Sequence, residues 1–100
     1  MFIYNTTYLV SEKAYSNWIE WLQNVHIPYM QNAGFTQPQL AKILTDDLEQ
    51  EGSSLSLQFH IADLESLLAW DKAEGEAFQA EVRQKFGDEV HAFSTGLELI

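Results

Sequence analysis

Cysteine is absent from this chain of 100 residues. Its absence excludes disulfides, thiolate metal ligands and a thiol nucleophile, and fits a reducing compartment. Proline occurs twice and glycine five times, too sparsely for a linker or a low-complexity tail. No apolar run approaches the roughly 18 residues a membrane helix needs. No basic segment leads into an apolar one at the start. Neither a membrane span nor a secretory leader is expected, and a cytoplasmic location is. Bases are the scarcest charged class, five Lys and Arg against fifteen Asp and Glu, for a formal net charge of −10. Most of such a surface repels a phosphate backbone, so nucleic acid is not expected as a partner. One hundred residues make a single domain, 1–100, large enough for a core without staples.

What the chain does contain is a densely apolar opening, MFIYNTTYLV. Its aromatic and β-branched residues predict a central strand over Phe2–Val10. Phe2, Tyr4, Thr6, Tyr8 and Val10 fall on one face, the candidate core face. Ile3, Asn5, Thr7 and Leu9 fall on the other. Ser11 is a candidate N-cap for a helix from Glu12 to about Ile27, with Ala14, Tyr15, Trp18, Ile19, Trp21, Leu22 and Val25 in its apolar half. Pro28 predicts a stop or kink at His26-Ile27-Pro28, with a short restart through Gln31. A second strand is expected over Phe35–Leu44, at a sheet edge because Pro38 cannot join a ladder.

Asp46, Asp47, Glu49, Glu51 and Gly52 form an acidic connection. It lacks the twelve-residue calcium-loop pattern and is expected to be a solvated turn. The alternation of Leu55, Leu57, Phe59 and Ile61 with Ser54, Ser56, Gln58 and His60 is the clearest half-buried strand. Asp63 predicts the N-cap of a second helix, with Leu64, Leu67 and Leu68 inward, Trp70 off the apolar face, a bend near Gly75 and Gly87 as C-cap. A last strand is expected over Glu89–Leu99.

The order strand, helix, strand, strand, helix, strand is α+β. With right-handed crossovers it gives a ferredoxin-like βαββαβ sheet in spatial order four, one, three, two, with both helices on one face. The uncovered face holds Ile3, Asn5, Thr7, Leu9, Ser56, Gln58 and His60. A second copy laid sheet to sheet would cover it, which predicts a homodimer of dimeric α/β-barrel type.

Ile3-Tyr4-Asn5, Trp18-x-x-Trp21 leading to His26-Ile27-Pro28, Gly34-Phe35-Thr36, Phe86-Gly87-Asp88 and Ala92-Phe93 together resemble a domain-of-unknown-function family of small cytosolic proteins common in Bacteroidetes. The resemblance spans essentially the whole chain. It implies a ferredoxin-like fold related to the dimeric α/β-barrel proteins, a group that includes cofactor-free monooxygenases and sugar mutarotases. It carries no catalytic residue across.

Three constellations carry candidate chemistry. His26, His60 and His91 lack any metal-ligand spacing, and no metal or cofactor is expected. No glycine-rich phosphate loop, nucleophile elbow or Ser-His-acid arrangement is present. Tyr4, Tyr8, Trp18, Trp21 and His26 are the candidate pocket, with His26 as its proton-transfer group for a small cyclic or aromatic ligand. Aromatics at helical spacing also read as plain core, and a His before a Pro as a helix-end residue. The expected function is accordingly a small homodimeric protein that binds a small ligand or serves assembly. The competing reading is a cofactor-free enzyme, monooxygenase-like or isomerase-like.

Overall fold

Period-two alternation sets the sheet. In a computed structural model that describes residues 1–44 and 52–100, β1 (Phe2–Val10), β2 (Thr36–Ile43), β3 (Ser53–Ile61) and β4 (Val90–Glu98) form one sheet in the order β2-β3-β1-β4. β1 is central and antiparallel to both neighbours, with Tyr4 opposite Phe59 and Gly96, and Tyr8 opposite Leu55 and Ala92. Its even positions face the helices. Tyr8 and Val10 are buried there with Leu55, Leu57, Phe59 and Ile61 of β3. Pro38 lies on the edge strand β2, inside a register shift between Thr36 and Gln39 where Gln37 takes φ 52°. An edge bulge is where a residue without an N–H costs least.

Both helical layers are interrupted runs on the same side of the sheet. The first comprises α1 (Tyr15–Trp21), a π-turn over Leu22–His26 and α2 (Ile27–Asn32). The second comprises α3 (Leu64–Trp70), a π-turn over Asp71–Gly75 and α4 (Glu76–Phe86), closed by Gly87. In the first run Ile27 N–H donates five residues back to the Leu22 carbonyl. The widened turn removes the conflict that Pro28 would otherwise create with the carbonyl four residues before it. The kink expected at Pro28 is therefore a π-turn, and the bend expected at Gly75 is a second one.

These turns correct several inward positions. One extra residue per turn shifts the helix phase, so His26 enters the interior and Val25 faces solvent. In α3, which precedes the second π-turn, Leu67 and Trp70 are buried while Leu64 and Leu68 are exposed, so the apolar stripe there runs through Trp70. Trp70 packs edge-on against Tyr4 and Phe35, with centroids 5.7 and 5.4 Å away. Ser11 Oγ accepts from Ala14 N–H and caps a turn, and α1 begins three residues later than expected, at Tyr15. Asp63 is the N-cap, accepting from Ser66 N–H at 2.7 Å.

The barrel expectation is overturned. The sheet is open, with β2 and β4 as its two edges and no strand among the described residues joining them. Four strands are too few to close, since small barrels use about eight. The fold is thus ferredoxin-like α+β with helices on one face, and no barrel. The acidic positions Asp46, Asp47, Glu49 and Glu51 lie outside the described residues. No helix among the described residues is long and apolar enough to cross a membrane.

Candidate functional site

The expected aromatic cluster divides in two. Tyr4, Tyr8 and Trp18 are packed core: Tyr8 meets Trp18 edge-on at 4.9 Å, and Tyr4 leans on Phe35 at 5.6 Å. Burial raises the Tyr8 phenol well above its ordinary value. The indole N–H groups of Trp18 and Trp21 have no hydrogen-bond partner among the described residues. Trp21 and His26, by contrast, line a cavity of about 300 Å³ with Val25, Tyr29, Glu74, Ala77, Phe78 and Glu81. It lies between the two helical runs and not, as expected, between helices and sheet.

Both π-turns border it. The first carries His26 in and supplies the half-exposed Val25, and the second contributes Glu74. Such turns widen a helix and are frequent at functional sites. His26 is only 4 % exposed. Its ring stacks on Phe78 at 4.3 Å and on Trp21 at 5.3 Å, the latter nearly parallel at 8°. Burial lowers its pKa from 6.5 to about 4, with no charge or hydrogen bond contributing. The imidazole is consequently neutral at pH 7 and does not alternate freely between charge states, as a proton shuttle near neutrality would. Tyr29 sits at the rim. Burial, and then the carboxylates of Glu74 and Glu81 beside it, raise its phenol. Glu81 Oε1 lies 4.0 Å from Lys85 Nζ in a half-exposed pair. Sequence reasoning missed Tyr29, Glu74 and Phe78 as cavity residues. A Gly on the apolar stripe of the second helix was the available signal that the helix widens there.

The other two histidines lie elsewhere. His60 pairs with Ile3 at one end of the uncovered sheet face, and His91 pairs with Leu9 at the other. His26 is on the helix side, so it does not approach His60. No group of His, Asp and Glu that could hold a metal occurs among the described residues. Ile3, Asn5, Thr7, Leu9, Ser56, Gln58 and His60 all sit on the uncovered face. There Ser56 Oγ donates to Asn5 Oδ1 at 2.6 Å, and Asn5 Nδ2 donates to Thr7 Oγ1 at 3.4 Å. The structure adds Phe93 and Leu97 of β4 to the same face, opposite Thr7 and Ile3.

An open ferredoxin-like sheet with a cavity between its helices defines a class of small α+β proteins. Within it, the chain belongs to the DUF4286 family, described as a domain of unknown function, whose profile matches residues 1–100. No functionally curated protein matches the sequence. Among solved structures, the chain is similar to a candidate antibiotic biosynthesis monooxygenase of Deinococcus radiodurans, at 18 % identity and TM-score 0.69, covering all of this chain and 93 % of that one. It is also similar to an ethyl tert-butyl ether D (EthD) family protein of Bacillus halodurans, at 17 % identity and TM-score 0.66, with both chains fully covered. A third is a dimeric ferredoxin-like protein from an uncultured marine organism, at 14 % identity and TM-score 0.67, covering all of this chain and 95 % of that one. At these identities the likeness is one of fold.

Proposed function

We propose that the cavity between the helical runs is the substrate site of a cofactor-free enzyme acting on a small cyclic or aromatic compound, with His26 as the proton-transfer group. The observation that carries this reading is His26 itself: an imidazole only 4 % exposed, held neutral by burial and stacked on Phe78 and Trp21 at the wall of a cavity. A ring compound entering beside Trp21 and Phe78 would meet its neutral ring, which can accept a proton. The step it supports is proton transfer. A ring nitrogen takes a proton from the bound compound, the electron pair stays on the compound, and the proton returns at another atom. The result is isomerisation, balanced without an oxidant. The imidazolium formed in this apolar wall is a strong acid, which favours rapid return of the proton. Fold likeness to a candidate monooxygenase and to an EthD-family protein supports an enzyme over a purely structural role.

The test is a metabolite-library thermal shift on the protein and on His26→Ala, since a ligand of the native state raises its stability. Stabilising compounds are then incubated in heavy water. The expected result is deuterium incorporation by the protein and none by the variant. Hits that bind both proteins equally and never exchange would end the enzyme reading.

The same proposal includes a homodimer formed through the uncovered sheet face. Supporting it, the outward positions of the described strands carry no Asp, Glu, Lys or Arg. The similar marine protein is described as dimeric.

A further inference from the structure

The cavity's charge is one-sided. Glu74 and Glu81 line it, and no Lys or Arg does. Glu81 has Lys85 4.0 Å away, whereas Glu74 has no ion-pair partner among the described residues. Facing these carboxylates are the aromatic side chains of Trp21, Phe78 and Tyr29. Flat π-faces and carboxylates attract the same kind of charge, a cation. The chain's net charge of −10 adds a long-range field that draws cations in and repels anions. The neutral His26 ring in the same wall can hydrogen-bond a polar occupant. A volume of about 300 Å³ is at the small end of ligand sites.

We infer that the compound bound in this cavity is an organic cation: a single ring carrying a protonated amine, the ring against His26 and Phe78 and the ammonium against Glu74. This rests on the reading of the cavity as a ligand site and adds the ligand's charge. The Tyr29 hydroxyl at the rim can accept from the ammonium while Glu74 balances its charge. A neutral ring would forgo the attraction of Glu74, and a carboxylate-bearing ring would meet two like charges.

The experiment titrates the full chain calorimetrically with phenethylammonium chloride, 2-phenylethanol and phenylacetate, three probes sharing one ring and differing in charge. The ammonium is expected to bind about tenfold or more tighter than the alcohol, a difference of about 1.4 kcal/mol, and phenylacetate weakest of all. Glu74→Gln should abolish the preference for the ammonium and leave the alcohol's affinity unchanged. Equal affinity for ammonium and alcohol, or a preference that survives in Glu74→Gln, overturns the cation inference while the ring site stands. If none of the three probes binds, the ring site falls with it.

Discussion

His26 is the residue on which sequence and structure meet. A histidine just before Ile27-Pro28 reads equally as a helix end and as a site group, and only the π-turn decides that its ring goes inward. Once inside, it is held neutral by burial, with a pKa near 4 against 6.5 in the open. Between those values the unfolded chain binds a proton that the folded chain refuses. The stability it contributes is therefore complete above pH 6.5 and lost as pH falls towards 4. The shift corresponds to something on the order of 3 kcal/mol. His26→Phe keeps a flat ring in the stack and removes the titration. Urea unfolding from pH 7 to pH 4 should show the protein losing stability relative to this variant by roughly that amount. Comparison with the variant cancels the acidic side chains common to both. A difference that does not change with pH would show that His26 titrates normally.

At the scale of elements, the strands were legible and the helices only half so. Alternation in Leu55–Ile61 and Phe2–Val10 can be satisfied one way only, because a one-residue slip turns the whole apolar set to the other face. The observed register follows it. A helix tolerates an inserted residue, and the phase change then travels along it. Val25, inside the first π-turn, consequently took the opposite side from that expected, and the cavity opened between helices where no periodicity argument placed it. Trp70, ahead of the second π-turn, is buried because it continues the stripe of Leu67. The meeting of β1 and β3 depends on a local feature the sequence does show, Gly52. It has φ +102°, and a Cβ there would collide with the Val10 carbonyl at the end of β1. The obstacle is backbone, which cannot swing aside. Gly52→Ala should cost roughly 2 kcal/mol or more, from the left-handed backbone and the clash together. A lowered urea midpoint with an unchanged slope would report it. An unchanged midpoint would mean that Gly52, just before β3, can shift away from the Val10 carbonyl.

Across the whole molecule, charge is distributed by side. All twenty charged residues of the sequence avoid the outward positions of the described strands, which hold residues such as Ile3, Thr7, Leu9, Gln58, Phe93 and Leu97. Phe93 is 66 % exposed and Leu97 43 %, an apolar pair left on a surface that otherwise repels its own copies. Two chains of charge −10 can approach closely only where neither presents charge. Four strands spaced about 4.8 Å apart and some nine residues long offer a flat face of roughly 600 Å² before side-chain relief, most of the roughly 800 Å² per partner of a standard interface. A sheet-to-sheet homodimer satisfies both conditions, and it does so with open sheets. Sedimentation at micromolar concentration should give twice the chain mass. Phe93→Glu places two carboxylates near one another in the apolar contact, where burying them unpaired is prohibitive. This variant should sediment as a monomer, with its far-ultraviolet circular dichroism unchanged because the residue is on the surface of the subunit. Retention of the dimer by Phe93→Glu would move the interface off this face, and a wild-type monomer would remove the dimer altogether.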